Sequence, residues 1–155
     1  MGLKETIEAD LRTAMKNRET TKVAVLRMLK ARIQEAQVAL RTKEGADAIL
    51  GDDAVTEVIS RHAKQVRESI EGAEQAGRKE FSDKARGELD VIDNYLPKQL
   101  SDDELKDILK SAIAEAGARS PREMGAVMKI VMPKVKGRAD GKKVNEMAKN
   151  LLSGG

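Results

Sequence analysis

The chain has no cysteine and no tryptophan, one phenylalanine (Phe81), one tyrosine (Tyr95) and one histidine (His62). Without cysteine there is no disulfide, no thiolate metal site and no cysteine nucleophile. Two aromatic side chains leave the core to Leu, Ile, Val, Ala and Met, and they disfavour RNA recognition by base stacking, which needs aromatic platforms. The three prolines, Pro97, Pro121 and Pro133, all lie beyond residue 96, so the first 96 residues are open to long helices. No secretory segment and no apolar run near the ~20 residues of a membrane span is present. The cytoplasm is therefore the expected location, with no membrane partner.

What is present suits a soluble helical protein. The chain is 40% hydrophobic and 35% charged, too apolar for a disordered tail and too charged for a membrane protein. The net charge is only +3, but the cations are segregated. From Arg12 to Lys43 nine Lys or Arg face two acids, Glu19 and Glu35; Glu44 to Glu57 then carries five acids and no base. From Lys129 to Lys149 seven cations face Asp140 and Glu146. Two basic segments are thus separated by acidic or balanced ones.

Helical periodicity runs through the whole chain, and no strand pattern competes. The first stripe is Leu3, Ile7, Leu11, Ala14 and Met15; the second is Leu26, Leu29, Ile33, Ala36 and Leu40. Arg27, Lys30 and Arg41 flank that second stripe as a secondary basic face. Asp52 or Asp53 is placed to cap a third helix carrying Val55, Ile59, His62, Val66, Ile70 and Ala73, which loosens at Gly72 and Gly77. A fourth helix places Phe81, Ala85, Leu89 and Ile92 on one side. NYLPKQLSDDEL then reads as a boundary. Pro97 disfavours helix at Leu96, and Ser101 with Glu104 forms a capping box, with Leu100 and Leu105 spaced as a staple. Three shorter helices follow. One carries Leu105, Leu109 and Ala112 and ends at Gly117; one begins at Ser120-Pro121 and is limited by Pro133; one is capped by Asp140 and frays at the terminal SGG. The expected fold is all-α: an N-terminal bundle of about four longer helices over residues 1–96 and a small three-helix domain over residues 97–155.

The stretch KVKGRADGKKV, residues 134–144, packs five cations into eleven residues. One reading is a helix junction, with Gly137 stopping one helix, Asp140 starting the next and the lysines solvated. The other is a glycine turn into a helix N-terminus whose amides and surrounding cations suit phosphate. Asp140 counts against the second, because it would occupy the donors an anion needs.

That stretch, read as part of MGAVMKIVMPKVKGRADGKKVNEMAKNLL together with VLRMLKARI, RESIEGAEQAGR and YLPKQLSDDEL, resembles the bacterial YqeY family over essentially the whole chain. The resemblance implies an all-helical, two-part protein. Its C-terminal part is similar to the tail of the B subunit of the tRNA-dependent amidotransferase, where a G-x-V-M-K segment is followed by K-G-x-A and a closing helix. The matching positions here are Gly125, Met128, Lys129, Lys136, Gly137, Arg138 and Ala139, with IVMPKV between the two elements. In the larger proteins the tail is implicated in holding the body of the tRNA while other domains do the chemistry. On that basis Lys129, Lys134, Lys136, Gly137, Arg138, Lys142 and Lys143 are the expected RNA-binding residues. The expected partner is tRNA, with an aminoacyl-tRNA synthetase or amidotransferase as the protein alternative.

The resemblance also carries a label, carbon-nitrogen ligase with glutamine as amide donor, for which the residues offer no parts. Ammonia release from glutamine needs an activated nucleophile, and the serines are scattered along the chain. No G-x-x-x-x-G-K-[ST] loop serves ATP. His62 falls on an apolar stripe, where a packed boundary residue is the default reading. The acids at Asp52 and Asp53, and at Asp102, Asp103 and Glu104, begin helices and are explained by the helix dipole. No catalytic residue, metal or cofactor is therefore expected; any amide transfer would belong to partner domains.

Overall fold

The computed structural model describes residues 2–154. Among them are seven α-helices, one short 3-10 turn and no strand: α1 (Leu3–Lys16), α2 (Thr20–Glu44), α3 (Asp52–Gln75), α4 (Lys79–Asp93), α5 (Asp102–Ala116), α6 (Met124–Val135) and α7 (Gly141–Gly154), with the 3-10 turn Pro121–Glu123 leading into α6. The protein is all-α. The chain divides into two compact units, Met1–Leu96 and Pro97–Gly155.

The first unit is held by one aliphatic core. Ile7, Leu11 and Ala14 of α1, Leu26, Leu29 and Ile33 of α2, Val55, Ile59 and Ala63 of α3, and Ile92 of α4 are buried together. Their spacing of three and four follows the helix period. Four expected features come out differently. Met15 is 50% exposed and Phe81 46% exposed. In α4 the inward position beside Ala85 belongs to Ser82, whose hydroxyl donates to the Lys79 carbonyl at 2.9 Å; Phe81, one residue earlier, is rotated about 100° outward. The lower half of the α2 stripe leaves Ala36 and Leu40 only half-buried and buries Gln37 instead. And α3 runs through Gly72 without a break, ending at Gln75.

Asp52 caps a helix other than its own. The N-cap of α3 is Gly51, without a side-chain cap bond, whereas Asp52 Oδ1 accepts the Leu3 N–H at 3.0 Å, at the start of α1. A carboxylate there meets both an orphan donor and the positive end of the dipole.

In the second unit each helix contributes three buried residues: Leu105, Leu109 and Ala112; Val127, Val131 and Val135; Val144, Ala148 and Leu152. The Ser101–Glu104 capping box is formed, with Glu104 N–H donating to Ser101 Oγ at 3.2 Å and Ser101 N–H to Glu104 Oε2 at 2.9 Å. Gly117 closes α5 in the left-handed region at φ 65°. Glu123 reaches back to accept the Ser120 N–H at 3.2 Å. Pro133 does not limit α6. It lies inside the helix, which continues to Val135; Pro133 faces solvent, so its ring and missing N–H disturb the ladder on the side away from the core. The terminal SGG does not fray at Ser153 and Gly154, which are helical, while Gly155 lies outside the described residues.

Candidate functional site

The basic stretch near the C-terminus is a pinned helix junction. After Val135, Lys136 N–H still donates back to the Met132 carbonyl at 3.0 Å, Gly137 turns the chain at φ 74°, and the Arg138 and Ala139 amides both donate to the Val135 carbonyl, at 2.8 and 3.1 Å. A positive φ here favours glycine, since a Cβ would strain the backbone. The segment after Pro97 docks on this turn. Gln99 Nε2 donates to the Gly137 carbonyl at 3.0 Å, Leu100 N–H to the Arg138 carbonyl at 2.8 Å, and Arg138 Nε to the Lys98 carbonyl at 3.3 Å. Asp140 then caps α7, its Oδ1 accepting the Lys142 N–H at 3.2 Å. The amides of the turn are therefore largely spent within the fold, and the open phosphate cradle considered from sequence is not built. What the junction presents outward is side-chain charge.

Those charges do not all serve one face. On α6 the core side is Val127, Val131 and Val135. Lys129 and Lys136, seven residues apart, both fall on the opposite side, about 10 Å apart along the axis, with Met132, 40% exposed, between them. Lys134 is rotated about 140° from Lys129 and belongs to another flank. Lys142 points away from Val144, Ala148 and Leu152 on α7, and Lys149, seven residues on, shares its side. Lys143 is ion-paired with Asp102 at the start of α5, a surface pair that ties two helix starts and contributes little stability. Arg138 is partly buried and clamps the turn. The resemblance groups these residues as one RNA-binding set; helix phase divides them.

The secondary basic face is divided too. Lys30 pairs with Glu8 of α1 at 3.9 Å, and Arg41 Nε donates to the Ala48 carbonyl at 3.3 Å, clamping the loop after α2. Arg27 lines a hollow of about 370 Å³ with Met15, Arg18 and Val23.

His62 is half-buried, and its Nδ1 has no hydrogen-bond partner among the described residues. Burial, and then the Arg32 charge, lower its pKa, with Glu88 opposing. A general base needs an orienting partner and a reachable substrate proton, and Nδ1 of this imidazole has no such partner among the described residues. The acids singled out from sequence are likewise placed: Asp52 caps α1, Asp102 pairs with Lys143, and the Ser101 backbone N–H holds the Glu104 carboxyl below its usual range.

Comparison with known proteins places this arrangement. Residues 4–152 match the YqeY family, described as Yqey-like protein. The chain belongs to the YqeY family. It is similar to the altered inheritance of mitochondria protein 41, mitochondrial, of Pyrenophora tritici-repentis, with 29% identity over 135 residues, covering 86% of this chain and 71% of that protein. The YqeY match spans both compact units, so the family unit is the two-part helical chain and not the C-terminal helices alone. Among the described residues, no helix of this YqeY protein is long and apolar enough to cross a membrane.

Proposed function

We propose that this YqeY protein is a non-catalytic helical module that binds the phosphate backbone of tRNA through its C-terminal unit. The observation that carries the reading is the exposure of Lys129 on the outer side of α6 and of Lys142 on α7, on either side of a junction held by residues 98–100. Cations on two helices joined by a pinned turn meet a polyanion without the cost of ordering the backbone that carries them, and backbone contacts of this kind carry no sequence preference. Similarity to the amidotransferase tail supports tRNA over other polyanions. Amide transfer in this reading belongs to partner domains, and the compartment is one that holds tRNA.

Titrating the full chain against total tRNA at two salt concentrations tests this. A Lys129→Ala/Lys142→Ala variant should bind more weakly, with a salt slope shallower by roughly 0.7 to 0.9 for each phosphate no longer neutralised. Unchanged affinity and slope at normal helicity would overturn it and favour an adaptor that docks on a tRNA-charging enzyme, for which the half-exposed Met132 of α6 is the supporting feature.

A further inference from the structure

The chain places its one phenylalanine on the surface of the first unit, among cations. Helix α3 ends in a Schellman turn: Gly77, at φ 70°, donates its N–H to the Glu74 carbonyl at 3.1 Å, and Arg78 N–H donates to the Ala73 carbonyl at 2.8 Å. That turn fixes where α4 begins. The turn residues Gly77 and Arg78 and the first residues of α4, Lys79, Glu80, Phe81 and Lys84, line an open groove of about 570 Å³. Three of these are cations and one is an acid. The nearby Arg86 is engaged by Glu74 and adds no net charge. The Arg78 guanidinium carbon lies 5.0 Å from the centroid of the Phe81 ring, within cation–π range, and the ring residue stays 46% exposed.

A half-exposed ring braced on one face by a guanidinium and flanked by lysines suits a flat, polyanionic ligand. Unpaired nucleotides have that chemistry: each base offers a π-face, and each linkage brings a phosphate. We infer that the α3–α4 corner is a binding surface for single-stranded nucleic acid, in which a base stacks on Phe81 while Arg78, Lys79 and Lys84 hold the adjoining phosphates. A duplex cannot use it, because its bases are already stacked. The surface belongs to the first unit and the C-terminal lysines to the second. An acidic protein partner could meet the cations, but it has no need of the π-face. That difference makes the two distinguishable.

The test uses the full chain and a mixed-sequence RNA strand of about 12 nucleotides, within the site sizes of single-strand binders, free or annealed to its complement. Phe81→Ala should weaken binding of the free strand by roughly five- to a hundredfold and leave the annealed form unaffected. Phe81→Leu, which keeps apolar area without a π-face, should lose as much. Phe81→Trp introduces an indole into a chain without tryptophan; its fluorescence should be quenched at saturation with the free strand and unmoved by the duplex. Lys79→Ala/Lys84→Ala should make the salt slope shallower by about 0.7 for each phosphate no longer neutralised. Wild-type affinity in Phe81→Leu, or an unquenched indole at saturation, would overturn the inference. The Lys129→Ala/Lys142→Ala variant should show the same quenching at position 81 as its parent, so this surface and the tRNA reading of the C-terminal unit can fail separately.

Discussion

The Tyr95 hydroxyl donates a 2.5 Å hydrogen bond to Asp10 Oδ2, joining residues 85 positions apart within the first unit. Burial, then the bond and charge of Asp10, push the Tyr95 phenol well above its ordinary value. Tyr95→Phe leaves the carboxylate without its donor and should lower stability by about 1.5 kcal/mol. The raised folded pKa also fixes a sign. Above about pH 10 the unfolded chain releases the phenol proton while the folded chain keeps it, so stability falls as pH rises from there. Lysines titrate in the same range, so urea unfolding of wild type and Tyr95→Phe should be compared: the gap should narrow as pH climbs past about 10.

Three helices end in the same bonding pattern, and one of them does it with the wrong residue. Gly77 and Gly117 adopt positive φ after α3 and α5; after α1 the same place is taken by Arg18 at φ 57°. Its N–H donates to the Met15 carbonyl at 3.3 Å and Glu19 N–H to the Ala14 carbonyl at 3.0 Å. Left-handed backbone strains a residue with a Cβ. Arg18→Gly should therefore raise stability by about 0.5–1 kcal/mol, and Gly117→Ala should lower it by about 1 kcal/mol. Thermal melts of the two variants against wild type check both signs.

Gln37 acts as a clamp in the first unit. Nearly buried at 4% exposure, it donates through Nε2 to the Ala48 carbonyl at 2.8 Å and accepts the Leu50 N–H on Oε1 at 3.0 Å. Gln37→Leu would strand the Leu50 N–H and leave the Ala48 carbonyl only its longer bond from Arg41 Nε, at a cost of about 1–3 kcal/mol. Faster protease cleavage between residues 45 and 51 in the variant, at unchanged helicity, is the expected readout.

His62 gives the acid side its slope. Its folded pKa is lowered by burial and Arg32, so as pH falls through about 6.5 the unfolded chain takes up a proton that the folded chain resists. Stability of the first unit should drop across that window. His62→Gln should remove this part of the loss in urea titrations run between about pH 7.5 and 5.

Local signals in the sequence were readable wherever a residue acts on its own helix. Ser101 with Glu104, Gly117, Asp140 and the apolar stripes of α3, α5 and, up to Ala14, of α1 all do so, and each is found in its expected role. Residues that act on another element were not readable. Asp52 looked like a cap for α3 and serves α1; Gln37 sat beside an apolar seam with nothing to mark a loop clamp 11 residues away. Phe81 fitted the stripe of α4 by period, but one position of phase decided between core and solvent, and the small Ser82 took the inner place. The same holds for the cations: Lys129 and Lys134 are neighbours in the sequence and lie on different flanks of α6, while Arg41 and Arg138 spend donors on carbonyls that only the fold brings near.

The bond from Leu3 N–H to Asp52 Oδ1 has a consequence in time. Helix α1 has no side-chain cap of its own; the N-cap residue is Gly2. The α1–α2 pair is local and can zip early, but the first turn of α1 stays without its acceptor until α3 is seated. The amide of Leu3 is therefore a single-proton clock for a tertiary event: its protection from solvent exchange should report the docking of a helix whose first residue lies 49 positions downstream.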